Sequence, residues 1–218
     1  MPTVDTKPKP RWERRKEARP QELLDAALNL FVERGYAATR LDDVAARAGV
    51  SKGTLYLYFE NKEELSKAVV RPNLVSALAE AEDYVAQYTG SSAELLRGFI
   101  RRWWERIGET KLSGISKLML AESGNFPDVA RFYHDEVIQR SNALIISMLE
   151  RGIARGEFRP IDKVNANLVI VAPVVMLMMW KHSFNSCRLE PISAPDYLDC
   201  FLDLLLNGLQ ASPGPVTH

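Results

Sequence analysis

Lys52, Thr54, Tyr56 and Tyr58 put one ammonium, one aliphatic hydroxyl and two phenols within seven residues of chain. No base accompanies them that could activate a nucleophile, so the set is suited to binding rather than catalysis. A lysine serves phosphate or guanine and a threonine serves phosphate or a base edge. A tyrosine can lay its ring on a thymine methyl or a sugar while its hydroxyl reaches a phosphate. Gly53, between the first two, lets a backbone come close to whatever is bound.

The neighbouring residues supply the elements that would hold this set in place. Leu55 and Phe59, four apart, can anchor a short helix inward from Lys52 to about Phe59, and Ser51 is a good cap for it. Before it, Thr39 can cap a helix with Asp42 at its third position, and Leu41, Val44, Ala45 and Ala48 form one apolar face. Gly49 can take the left-handed conformation that stops that helix, and Val50 can plug the corner. Two helices joined by a tight glycine turn make a helix-turn-helix. Asn61 followed by Glu64 repeats the capping signal, so a further helix starts near Lys62. Upstream, Pro20 suits a first helical position, Leu23, Leu24, Ala27, Leu30 and Phe31 form a stripe ending at Gly35, and Tyr36 is expected to plug the core. A capped helical hairpin buried in an all-α core satisfies the same pattern.

From about Gln21 to Val69 the chain resembles the DNA-binding domain of the TetR family of bacterial transcriptional regulators. The run LLDAALNLFVERGYAATRLDDVAARAGVSKGTLYLYFENKEEL carries the likeness, and GVSKGTLYLYFENKEEL is its most specific part. The resemblance implies contacts to double-stranded operator DNA from Arg40, Ser51, Lys52, Gly53, Thr54, Tyr56, Tyr58 and Lys62, with Arg40 and Lys62 on the phosphate backbone. It also implies a palindromic operator, a dimer and a repressor released by a small molecule. A protein partner for the far domain, or activation in place of repression, fits the same residues.

The 218 residues carry a formal net charge of zero, so the chain as a whole has no nucleic-acid signature. The balance is uneven: Met1 to Lys62 holds twelve Lys and Arg against nine Asp and Glu. The basic surplus lies with the motif. Residues 1–19 are proline-broken and rich in Lys and Arg, and are expected to form a flexible basic arm in which Lys7, Lys9, Arg11, Arg14, Arg15 and Lys16 meet phosphates. Cys187 and Cys200 have no metal spacing, and His134, His182 and His218 are scattered. With no GxSxG or HExxH string either, neither an enzyme nor a cofactor or metal site is expected. No signal peptide fits, and the longest apolar run, Leu168 to Trp180, falls short of a membrane span. A cytoplasmic protein with no membrane partner is expected.

The remainder reads as helices throughout, giving an all-α fold: an arm (1–19), a three-helix helix-turn-helix domain (20–66), and a helical ligand-binding and dimerisation domain (67–218). Pro72 should kink or break the connecting helix. Ser91 with Glu94 caps a helix with Leu95, Leu96, Phe99, Ile100, Trp103 and Ile107 inward. Pro127 opens a long helix to about Arg155, Pro173 interrupts an apolar one, and Pro195 starts the last, with Leu198, Phe201, Leu202, Leu205 and Leu209 on one side. The last two helices carry more apolar surface than one bundle covers, which points to a symmetric homodimer contact. The resemblance implies a pocket between the middle helices for a small, mostly apolar effector. Trp103, Trp104, Met119, Phe126, Phe132, Tyr133, Met176 and Trp180 are its candidate walls, with Glu122 and His134 as candidate polar groups. Aromatic and methionine side chains at this spacing also serve as ordinary core.

Overall fold

The computed structural model describes residues 11–211 apart from Asn185, Ser186 and Arg188, with side chains from Pro20 onward. Lys7 and Lys9 of the expected arm lie outside the described residues. Eleven α-helices are present among the described residues, with no strand beyond an isolated bridge between Phe158 and Gln210. The chain divides into two compact units, one ending at Val69 and the other starting at Val70.

In the first unit, α1 spans Arg11–Arg34, α2 Leu41–Arg47, α3 Lys52–Tyr56 and α4 Lys62–Val70. The helix α1 begins nine residues before Pro20, so the arm expected to be flexible over 1–19 is helical from Arg11 and Pro20 lies inside the helix. The physical reason is composition: RWERRKEAR consists almost entirely of strong helix formers, which carry the helix through one missing backbone donor. Gly35 ends α1 with φ +87°, in the left-handed region that a glycine adopts without strain. Leu23, Leu30, Leu55 and Leu65 are fully buried, each contributing roughly 1.5–3 kcal/mol of apolar burial to this small core. Thr39 is buried rather than capping α2: its hydroxyl donates to the carbonyls of Gly35 (2.7 Å) and Leu30 (3.3 Å), and Arg40 takes the cap position without a side-chain bond. The buried hydroxyl needs an acceptor, and the last turn of α1 with the glycine after it provides two carbonyls.

In the second unit, α4 continues without a break into a π-helical turn, Arg71–Val75, and then into α5, Ser76–Gln87. Pro72 therefore neither breaks nor ends the connecting helix. The turn widens to one extra residue, which absorbs the missing proline N–H. Helix α6 (Ser92–Trp103) runs into a second π-turn, Trp104–Gly108, and α7 spans Ser113–Glu122. Helix α8 (Pro127–Tyr133) passes through a third, His134–Ile138, into α9 (Gln139–Ala154). Then follow α10 (Lys163–Ser183) and α11 (Ala194–Leu209).

The core of this unit is a layer of α6, α7, α9 and α10, with α5 against α6 and α9, and α11 against α10. Ser91 Oγ accepts from the Glu94 amide (3.2 Å) and Asp162 Oδ1 from Val164 and Asn165 (3.0 and 3.2 Å), closing the starts of α6 and α10. Helix α10 is, by length and composition, long and apolar enough to cross a membrane, which the shorter run Leu168 to Trp180 did not suggest. Core helices pass the same test, and Ala166, Asn167, Ile170, Val174, Leu177 and Met178 bury one of its sides. On α11 the inward residues are Leu198, Leu202, Leu206 and Leu209, so Phe201 and Leu205 lie beside the buried stripe, not in it.

Candidate nucleic-acid interface and effector cavity

The reading element is built from its caps outward. Gly49 has φ +67°, and the Val50 amide bonds the Ala45 carbonyl at 3.0 Å, so the chain turns sharply out of α2. Ser51 Oγ then accepts from the Thr54 amide at 3.1 Å and starts α3. Leu55 is fully buried and fixes the helix against the core, which leaves Lys52, Gly53 and Tyr56 exposed on α3 and Tyr58 exposed in the turn after it. Tyr56 and Tyr58 are 46% and 37% exposed, enough for ring and hydroxyl both to meet a partner. Thr54 is half-buried and its Oγ1 lies 2.8 Å from Ser51 Oγ, so it shares a hydroxyl pair with the cap.

Leu57 is 83% exposed on the same segment. Sequence reasoning, which took only the polar and phenolic residues of this segment as outward, passed over it. Its position off the Leu55 and Phe59 spacing was the available signal. Exposed beside two phenols, it can cover a thymine methyl or a sugar.

The cations of this surface are in different states. Arg40 is exposed at the start of α2. Lys52 Nζ lies 3.0 Å from both carboxylate oxygens of Asp42, and that bond holds its pKa above the usual lysine value. Arg47 and Glu33 form a two-pronged pair at 2.9 and 3.0 Å across α1 and α2. Lys62, expected at a phosphate, points its ammonium inward: it donates to the carbonyls of Tyr36 (2.7 Å), Ala37 (3.2 Å) and Thr39 (3.1 Å). The chain between α1 and α2 turns these carbonyls toward one point, and a long lysine with three donors can reach all of them. Tyr36 is buried as expected, and burial, with Glu63 nearby, pushes its hydroxyl up to about 12.

In the second unit a cavity of about 670 Å³ opens between α6, α7, α8, α9 and α10. Trp103, Met119 and Tyr133 of the expected wall line it, and His134 lines it from the π-turn. Most of the remaining wall is aliphatic, including Ile100, Val137, Ile145 and Val174. Leu120 of α7 is 62% exposed and belongs to this wall as well.

The other expected wall residues lie elsewhere. Trp104 and Trp180 line a separate cavity of about 240 Å³ with Lys181, because Trp104 follows Trp103 by about 100° around the helix and cannot share its side. Met176 is exposed on the far side of α10 from Val174 and Met178, two residues away in either direction. Phe126 and Glu122 sit at the α7–α8 corner outside the cavity wall, where Glu122 accepts from the Asn125 side chain at 3.1 Å. Phe132 faces away as well, with the Arg71 guanidinium 5.1 Å over its ring.

Comparison with known proteins bears on the family and the fold. Residues 23–69 match the sequence profile of the bacterial regulatory proteins, tetR family. The HTH-type transcriptional repressor KstR2 of Mycobacterium tuberculosis is 31% identical over 140 residues, 64% of this chain and 68% of that protein. The structure of the M. tuberculosis ketosteroid transcriptional regulator KstR2 superposes with a TM-score of 0.71 at 26% identity, covering 89% of this chain and 96% of the other. The fold also matches the Bacillus subtilis transcriptional regulator FadR in complex with stearoyl-CoA, with a TM-score of 0.71 at 21% identity over 87% and 99% of the two chains. A helix-turn-helix with an exposed tyrosine-bearing helix, in a chain alike over this length, belongs to the tetR family of bacterial regulatory proteins.

Proposed function

We propose that this chain is a ligand-responsive transcriptional repressor that binds a palindromic DNA operator as a dimer and is released by a small, mostly apolar molecule. The carrying observation is the pairing of an outward α3 in one unit with a 670 Å³ apolar cavity in the other. A cavity of that size takes a molecule as large as a long acyl chain or a fused-ring compound. FadR in complex with stearoyl-CoA, and KstR2 as a ketosteroid transcriptional regulator, point to the same chemistry. Arg40, Lys52, Tyr56, Leu57 and Tyr58 carry the operator contacts in this reading, with Ser51, Gly53 and Thr54 shaping the approach. Lys62 supports the surface from behind.

Dimerisation uses α10 and α11. Val164, Leu168 and Met176 repeat at multiples of four on α10, and Cys200, Leu204 and Gly208 do so on α11. All six are exposed, including Leu168 at 57% and Leu204 at 69%. Apolar stripes of that length call for a partner, and a second copy closes them by two-fold symmetry. The effector acts by population shift, favouring a form in which two reading helices no longer fit successive grooves. The protein works in the cytoplasm, where its DNA lies.

The test is fluorescence anisotropy of a labelled operator, titrated with long-chain acyl-CoA and with steroid-derived CoA thioesters. Release by one series at concentrations that leave unrelated DNA-binding proteins unaffected supports the reading. Operator binding that no member of either series alters refutes the effector class.

A further inference from the structure

The 670 Å³ cavity is lined by aliphatic and aromatic carbon over most of its wall, and among its few polar groups two hydroxyls are bonded to each other. The Tyr133 hydroxyl and Ser116 Oγ lie 3.1 Å apart, and both residues line the cavity. Tyr133 is buried, and that burial raises its pKa, so the phenol stays a neutral donor.

A hydrogen count shows what the pair lacks. Two hydroxyls bring two hydrogens, and the bond between them uses one. The other has no acceptor among the described residues. The remaining polar wall residues do not supply one. Ser141 spends its hydroxyl on the Ile138 carbonyl at 3.0 Å, Ser123, Arg131 and His134 are exposed, and Asn142 makes no bond to the pair. An unclaimed hydroxyl hydrogen in an apolar chamber is costly, and a bound molecule can remove that cost by offering an acceptor.

We propose that Tyr133 and Ser116 are the specificity-determining anchor of the effector site, donating one hydrogen bond to a neutral carbonyl oxygen carried along an otherwise apolar molecule. This deepens the effector reading above and rests on it. A ketone, ester or thioester oxygen accepts and brings no further hydrogen to satisfy, so it closes the count. A carboxylate would arrive charged at a place where no Lys or Arg is bonded to the pair, and burying it there costs more than the bond returns. The anchor therefore selects among apolar molecules by one oxygen. A site built to bond an oxygen rejects the analogue lacking it far more strongly than it rejects a missing methylene.

The experiment uses the full chain and the environment-sensitive dye N-phenyl-1-naphthylamine as reporter, displaced in turn by dodecane, 6-dodecanone and dodecanoate. The proteins are wild type, the double variant Tyr133→Phe with Ser116→Ala, and Val174→Trp, which fills the cavity. The expected result is dye binding that Val174→Trp abolishes, and a preference for ketone over alkane that falls about tenfold in the double variant while alkane affinity holds. A preference unchanged in the double variant, with dye and alkane still binding, overturns the anchor and leaves the cavity reading standing. Dodecanoate displacing better than the ketone in wild type, with that advantage lost in the double variant, overturns the neutral-acceptor assignment. A dye that does not bind the wild type, or binds Val174→Trp equally well, overturns the cavity reading and the anchor with it.

Discussion

The Lys62 ammonium lies 4.4 Å from the centre of the Tyr36 ring and 2.7 Å from the carbonyl oxygen of the same residue. A side chain whose position in the motif suggests a phosphate contact thus closes the corner between α1 and α2. Lys62→Ala is expected to lower unfolding stability by about 1–2 kcal/mol, the scale of lost charge-assisted bonds at a half-buried site. Urea titration followed by circular dichroism checks this, with the midpoint falling at constant slope. An unchanged midpoint with weaker DNA binding would return the residue to a purely phosphate role.

Gly53 separates fold from function. A Cβ added there would meet only Ser51 Oγ, at 3.9 Å, and the residue has no positive φ. Gly53→Ala should leave stability unchanged or raise it by up to about 1 kcal/mol, since alanine is the better helix former. Operator affinity should drop about tenfold because the added methyl holds the backbone off the DNA. Paired melting and anisotropy measurements decide it, and an affinity equal to wild type removes Gly53 from the interface.

His182 gives a pH signature. Ser113 Oγ donates to the Thr110 carbonyl at 2.8 Å, so at its 2.7 Å contact with His182 Nε2 it accepts, and that nitrogen carries a proton. Burial, then Lys181 and Lys117, holds the His182 pKa below the ordinary histidine value of 6.5. The unfolded chain therefore binds a proton before the folded one does. Stability should be constant above about pH 6.5 and decline as pH falls below it toward the folded pKa. His182→Gln, which keeps a donor, should flatten that part of the profile in chemical denaturation. A wild-type profile with the same slope as the variant from pH 7 to 5 would contradict the assignment.

The exposed stripes on α10 and α11 predict the behaviour of Leu168→Glu and Leu204→Glu. Each substitution enters a two-fold contact twice, and a buried leucine is worth roughly 1.5–3 kcal/mol. The dimer dissociation constant should rise about a hundredfold or more, and operator binding should fall with it. Sedimentation velocity reads the first and anisotropy the second. Variants that sediment as wild type place the interface elsewhere.

Much of the first unit was legible because caps and glycines act locally. Ser51, Asn61 and Gly49 do what their types dictate within three or four residues. The cap expected of Thr39 was misread, and the inward bonds of Lys62 were not foreseen, for the opposite reason: their partners lie across a corner or on another helix, and no local pattern reports a carbonyl 23 residues away. In the second unit the helices were legible from periodicity, but the three π-turns were not. One extra residue shifts every later side chain by about 100°, so a stripe read before such a turn does not carry past it. The Tyr133 and Ser116 pair, 17 residues apart, needed coordinates to be seen at all.

The bond between Lys52 and Asp42 has a thermodynamic consequence. A phosphate reaching this lysine must evict a tethered carboxylate, where a free lysine gives up only a mobile salt ion. The swap releases fewer ions to solution than the cations on the face suggest, so the slope of affinity against salt will undercount the true contacts. Attraction to arbitrary DNA is weakened in the same stroke, which shifts discrimination onto the uncharged rings and methyl groups beside it.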